Sequence, residues 1–208
     1  MELSKRSEAK VYSYQEYKDL VLECADKQTT TGSDPSQERI EATKINAQRM
    51  KRIDKQVQIN APLHQLIQEN QQAVEWTILS EAWCGDGAQI IPVIAKIAAI
   101  SPETIDLKII LRDENPEIMD AYLTNGSRSI PKLICKDRES GKVLGTWGPR
   151  PAGIVKMKED FMQQNPGVDH DTFVKNLHLW YAKDGGRAIQ HDFEQLVQEC
   201  FNKEVVAP

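Results

Sequence analysis

Paired sulfur, long apolar runs and an excess of basic charge are all missing from this chain, and each shortage closes off a class of protein. The four cysteines, Cys24, Cys84, Cys135 and Cys200, stand far apart, without the close spacing of a zinc knuckle or a disulfide-stapled fold. In a reducing compartment most are expected as free thiols, and for Cys24, Cys135 and Cys200 the plain reading is a small buried hydrophobe. No apolar run approaches the roughly 20 residues that cross a bilayer. The opening MELSKRSEAK is charged with no apolar stretch behind it, so a cytoplasmic chain without a membrane partner is expected. Lysine and arginine number 26 against 31 acids, a net charge of -5, and no basic face is set aside for phosphates, so nucleic acid is not an expected partner. His64, His170, His178 and His191 are dispersed. His170 and His178 share a predicted helix but are eight residues apart, too far to share a metal, and neither a metal nor a cofactor is expected.

What remains is an ordinary globular composition. With 208 residues, 40% hydrophobic and 27% charged, the chain is long enough to bury a core and reads as one domain with appendages. Apolar residues at helical spacing predict a helix over 11–24, and TTTGSDP at 29–35 breaks it. Ile40, Ile45, Met50, Ile53 and Val57 recur through 36–60, a long and thinly apolar helix that packs along the domain or against a partner. Asp34 is placed to cap it, with Pro35 suited to a first helical position. A short helix is expected over 63–70.

The pattern then changes. VEWTIL at 74–79 is a strand signal, followed by a turn around Cys84 and an apolar helix over 87–100. A strand at 105–111, a short helix from Pro116 to Leu123, and strands at 130–136 and 142–147 follow. The last two, joined by a few polar residues, form an antiparallel hairpin, whereas the first two are joined through a helix and hence parallel. GPRP at 148–151 precedes helices over 152–164, 169–183 and 188–202. Trp180 and Tyr181 read as core packing, and Asp184-Gly185-Gly186-Arg187 lacks the preceding strand of a phosphate loop.

Three features of the middle segment resemble the thioredoxin fold. Trp83-Cys84-Gly85 follows a strand and opens a helix, Pro92 lies inside that helix, and Ser129-Ile130-Pro131 precedes the third strand, where thioredoxins carry a cis-proline beside the active cysteine. The WCGD turn, with QRMKRIDK before it and LHLWYAKDGG after it, is similar to a bacterial group of thioredoxin family proteins with an N-terminal helical extension. The resemblance implies an α/β fold, a central mixed sheet flanked by helices. Its domain organisation would be 1–73 as a helical extension, 74–150 as the thioredoxin-like core and 151–208 as helices packed on it. The implied site is Cys84 as nucleophile, with Trp83, Gly85, Asp86, Ile130 and Pro131 around the substrate.

The physical chemistry of the turn stands beside that resemblance. A thiol at a helix N-terminus meets unpaired N–H groups and the positive end of the macrodipole, so the Cys84 pKa is expected to fall, although Asp86 opposes this. If the bond before Pro131 is cis, the neighbouring backbone is open to an extended peptide or a thiol-bearing ligand. Gly87 stands where a second cysteine would release a mixed disulfide, so release needs an outside thiol or another cysteine of the chain, and the nearest candidate, Cys135, lies four residues along the strand from Pro131, too far for a bond. Ile78 occupies the place of the acid that thioredoxins bury, and Glu81 is expected on an exposed loop. Arg128 and Lys132 flank Pro131 and would suit the carboxylates of a small thiol such as glutathione.

Two functions follow. The first is a monothiol thiol–disulfide oxidoreductase acting on protein or small-molecule thiols and disulfides. The second is a redox-inactive binding or redox-sensing module that keeps the groove beside Pro131 without turnover.

Overall fold

The computed structural model describes residues 10–201. The charged opening segment up to Ala9 and the Asn202 end of the last predicted helix lie outside the described residues. Five strands form one mixed sheet in the order β1 (Val11–Tyr12), β3 (Ile105–Leu111), β2 (Val74–Ser80), β4 (Lys132–Asp137) and β5 (Val143–Trp147). β2 and β3 run parallel and are joined through α4 (Gly85–Ala98), while β4 pairs antiparallel with both β2 and β5. The result is the α/β architecture that the resemblance implies.

The strands alternate between two cores, as the period of two in a strand requires. Val74, Trp76 and Ile78 of β2, with Ile109 of β3 and Leu133 of β4, join a large core built with the helices. Leu79, Ile110 and Ile134 turn to the other face. There they pack with Met119 of α5 (Pro116–Ala121), Ile130 and Cys84 in a smaller cluster. Cys84 thus lies at the end of the sheet, at the junction between β2 and α4.

The N-terminal segment departs from its pattern in four places. The predicted helix at 11–24 splits, because Val11 and Tyr12 pair with Ile110 and Ile109 at the sheet edge. Ser13 then opens α1 (Tyr14–Asp26) with a capping box, its hydroxyl accepting from the Glu16 amide at 3.3 Å and the Glu16 carboxylate accepting from the Ser13 amide at 2.8 Å. In α2 (Gln37–Gln56) Pro35 precedes the N-cap Ser36 instead of entering the helix, and the Asp34 carboxylate accepts from the Ser36 amide at 3.0 Å. Ile45 is 52% exposed, and the buried stripe of α2 contains Thr43 and Asn46 beside Met50 and Ile53. α2 ends at Gln56, where Val57 turns to extended backbone, and Asn60 instead caps α3 (Ala61–Gln68), its side chain accepting from the Leu63 amide at 2.8 Å.

Three helices follow the sheet: α6 (Ala152–Gln164), α7 (His170–Asp184) and α8 (Arg187–Phe201). The fully buried Phe193 of α8 meets Trp76 and Trp147 edge to face, with ring centroids 5.4 and 5.3 Å apart. Side chains from α1, α2, α7 and α8 share the large core with the sheet.

Candidate functional site

The site is assembled where β2 ends. Residues 81–83 turn the chain, and Cys84 becomes the N-cap of α4. Its Sγ accepts from the Gly87 amide at 3.2 Å and donates to the Ile130 carbonyl at 3.4 Å. The Ile130–Pro131 peptide bond is cis. One orphan amide of the helix and one loop carbonyl are therefore both satisfied by the same thiol.

That thiol is only 5% exposed. Burial and, after it, the Asp86 carboxylate push its pKa up to about 12, against the Gly87 and Asp86 amides and Arg150, which favour the thiolate. The expected fall is reversed. The helix amides do act in the anticipated direction, but removing the thiolate from water outweighs them, and the acid two residues on adds to the cost.

Asp86 is itself held from two distant segments. Its Oδ2 accepts from Arg150 Nε and Nη2, both at 2.8 Å, and its Oδ1 accepts from the Tyr181 hydroxyl at 2.8 Å. Gly148, at φ +106, passes so close to Pro131 that a Cβ would stand 2.3 Å from its carbonyl oxygen, and this contact brings the Pro149–Arg150 segment beside the turn. Tyr181, expected simply as core packing, is buried and also bonds to Asp86. His178, on the same helix, lies over Gly85, where a Cβ would meet its ring at 3.1 Å. Burial, with Arg49 beside it, lowers the His178 pKa to about 4, so the imidazole is neutral at pH 7.

Glu81 is not on an exposed loop: it is 0% exposed. Its carboxylate accepts from the Thr31 hydroxyl and from the Asp113 amide at 2.9 Å, and burial raises its pKa. Thr31 also accepts from the Ala82 amide at 2.8 Å, and Asn46 Nδ2 donates to the Ala82 carbonyl at 2.9 Å. These bonds explain why a loop acid and the polar residues of α2 turn inward. Two guanidiniums lie over the Trp83 ring, Arg39 at 4.2 Å and Arg112 at 4.9 Å from its centroid.

The position of the missing second sulfur is occupied. A Cβ on Gly87 would stand 2.6 Å from Ser80 Oγ and 3.4 Å from Cys84 Sγ, and Ser80 Oγ accepts from the buried Tyr17 hydroxyl at 3.3 Å. Lys132 is buried and directs its ammonium to Thr124 Oγ1 at 3.3 Å, so the Arg128–Lys132 pair expected around Pro131 is reduced to Arg128. Cys24, Cys135 and Cys200 are buried thiols. No group of three metal-binding side chains is found among the described residues.

Cys84 opens onto a cavity of about 440 Å³, lined also by Trp83, Gly85, Asp86, Ile130 and Arg150, with α7 contributing to its wall. The sequence-expected side chains thus meet around one space, although Pro131 itself is buried behind Ile130. Arg150, Tyr181, Ser80 and Thr31 were missed, since no local pattern links residues 64 or 95 positions apart.

A family model described as thioredoxin matches residues 32–163, more than half of the chain. The chain belongs to the thioredoxin family. Among solved structures, a protein of unknown function from Pseudomonas aeruginosa is similar to this thioredoxin family chain at 17% identity and a TM-score of 0.56, covering 90% of this chain and 98% of that one. An HIV epitope-scaffold is similar at 16% identity and a TM-score of 0.54, with the same coverage. These likenesses concern the fold. No curated protein matches.

Two outcomes are expected from the geometry. Asp86→Asn removes the charge that opposes the thiolate, so the iodoacetamide alkylation of Cys84 at pH 8, followed by peptide mass spectrometry, should rise about threefold for one pKa unit, about tenfold in thiolate offset by about threefold in nucleophilicity; an unchanged or slower rate would refute the role given to Asp86. Gly87→Ala should destabilise the fold by about 1 kcal/mol or more through overpacking against Ser80. Ser80→Ala in the same chain should recover most of that loss in a urea double-mutant cycle, and strict additivity would show that the two positions do not compete for space.

Proposed function

We propose that this thioredoxin family chain is a monothiol thiol–disulfide exchange protein using Cys84. The reading is supported above all by one observation: the Cys84 sulfur caps α4, bonds to the Ile130 carbonyl and borders an open cavity. In this reading residues 74–150 carry the exchange site, while 1–73 and 151–208 hold its turn and wall it.

The reaction balances without a second cysteine in the turn. Cys84 loses its proton to solvent, and the thiolate attacks one sulfur of a disulfide. The old S–S bond breaks, one thiolate leaves, and a mixed disulfide on Cys84 remains. An external low-molecular-weight thiol, as a reducing cytoplasm supplies, attacks the substrate-derived sulfur; a new external disulfide forms and Cys84 is released. Trp83 and Gly85 would shape the entrance, Ile130 and Pro131 would present backbone to the bound group, and Asp86 would set the proton affinity of the sulfur.

The high proton affinity makes exchange slow. Each unit of raised pKa removes tenfold in thiolate and returns about threefold in nucleophilicity. A thiol at about 12 therefore reacts roughly a hundredfold more slowly at pH 7 than a free cysteine near 8.5. The same burial favours the second reading, a thioredoxin-fold module that binds through the groove without turnover.

Reduction of bis-hydroxyethyl disulfide with glutathione as external thiol separates the two. The exchange reading expects turnover that rises with pH, a mixed disulfide on Cys84 by mass, and loss of both in Cys84→Ser. Equal rates in the wild type and Cys84→Ser would leave only the binding module.

A further inference from the structure

The cavity beside Cys84 has features that the exchange chemistry does not require. Its volume of about 440 Å³ lies in the range of small-molecule pockets. One wall is α7, which contributes His170, Val174, Leu177 and His178. The contact between His178 and Gly85 sets this helix directly over the active turn. A flat groove open to a folded protein disulfide is thereby narrowed to a pocket.

The charged side chains that face the pocket are mostly cationic. Arg112, Arg128 and Arg150 line it with a single carboxylate, that of Asp86. Asp113 and Asp120, the partners of Arg112 and Arg128, are not among the lining residues. A guanidinium has five N–H groups. Arg112 uses two, on Asp113 and the Arg128 carbonyl; Arg128 uses two on Asp120; Arg150 uses two on Asp86. Each therefore keeps further donors for a planar anion, the geometry that arginine matches best. Each guanidinium is balanced by its own carboxylate, Asp113, Asp120 or Asp86, so the pocket offers an anion directed N–H donors, not a net positive charge.

Resting on the exchange reading above, we infer that the substrates of Cys84 are small disulfides and thiols bearing carboxylates, not protein disulfides. The anionic ends bind Arg112, Arg128 and Arg150, which brings the disulfide sulfur against Cys84. The attack forms the Cys84–substrate S–S bond and releases one half of the ligand as a thiolate. A second molecule of the same class of anionic thiol then takes the retained half as a disulfide, returning Cys84.

The test is the charge dependence of adduct formation on the full chain. Dithiodiglycolate carries two carboxylates, cystamine two ammonium groups, and bis-hydroxyethyl disulfide no charge; insulin supplies a protein disulfide. Second-order rate constants for the Cys84 adduct are read by mass spectrometry and each small reagent is normalised to its rate with N-acetylcysteine. The dianion should react about tenfold faster than the dication at low ionic strength, with the ratio shrinking as salt is added and in Arg128→Gln, whose side chain is half exposed. Equal normalised rates, or a faster dication, with the neutral reagent still adding to Cys84, would overturn the anionic class and leave exchange intact. Faster reaction with insulin than with dithiodiglycolate would move the site to protein substrates and overturn the inference. Absence of an adduct from every reagent would remove the exchange reading itself.

Discussion

A single thiol completing both a helix end and a loop is the constraint on which the arrangement around it depends. The helix amide of Gly87 and the carbonyl of Ile130 approach Cys84 from different elements, and one sulfur serves both. A protonated thiol can accept from one and donate to the other, whereas a thiolate would leave the carbonyl facing a negative charge. The geometry and the raised pKa therefore agree on the resting state. In that state the sulfur packs with Leu79, Ile110 and Ile134 as part of a small apolar cluster.

The segments outside the sheet act on the same few residues. Thr31 and Asn46, from the N-terminal part of the chain, fix the backbone of Ala82. Tyr181, from α7, shares Asp86 with Arg150 of the segment after β5. Ser80 and Tyr17 close the space behind Gly87. The turn is thus restrained from both ends of the chain, and the helices that surround it do more than cover the sheet. This arrangement also accounts for the unusual polarity of the α2 stripe, where Asn46 is buried because its amide has a partner across the core.

Much of this frame was legible from local pattern. The strand at 105–111 and the helix at 152–164 lie where the sequence places them, because alternation, helical periodicity and bounding turn residues agree there. Val11 and Tyr12 were absorbed into a helix since a two-residue edge strand has no period of its own. Around the site, Trp83-Cys84-Gly85 and Ile130-Pro131 could be anticipated from the motif. The burial of Glu81, the occupation of the second-sulfur position by Ser80 and the pairing of Asp86 with Arg150 are tertiary facts. A polar residue in a loop carries no local sign of the partner that turns it inward.

The most direct measurement is a pH titration of Cys84 by ultraviolet thiolate absorbance, taken as the difference between the native chain and Cys84→Ser. Protonation at rest predicts that the sulfur stays a thiol through neutral pH and half-ionises well above the ordinary value near 8.5, toward about 12. Half-ionisation at or below pH 8 would contradict the account, since it would mean that the helix amides prevail over burial and Asp86.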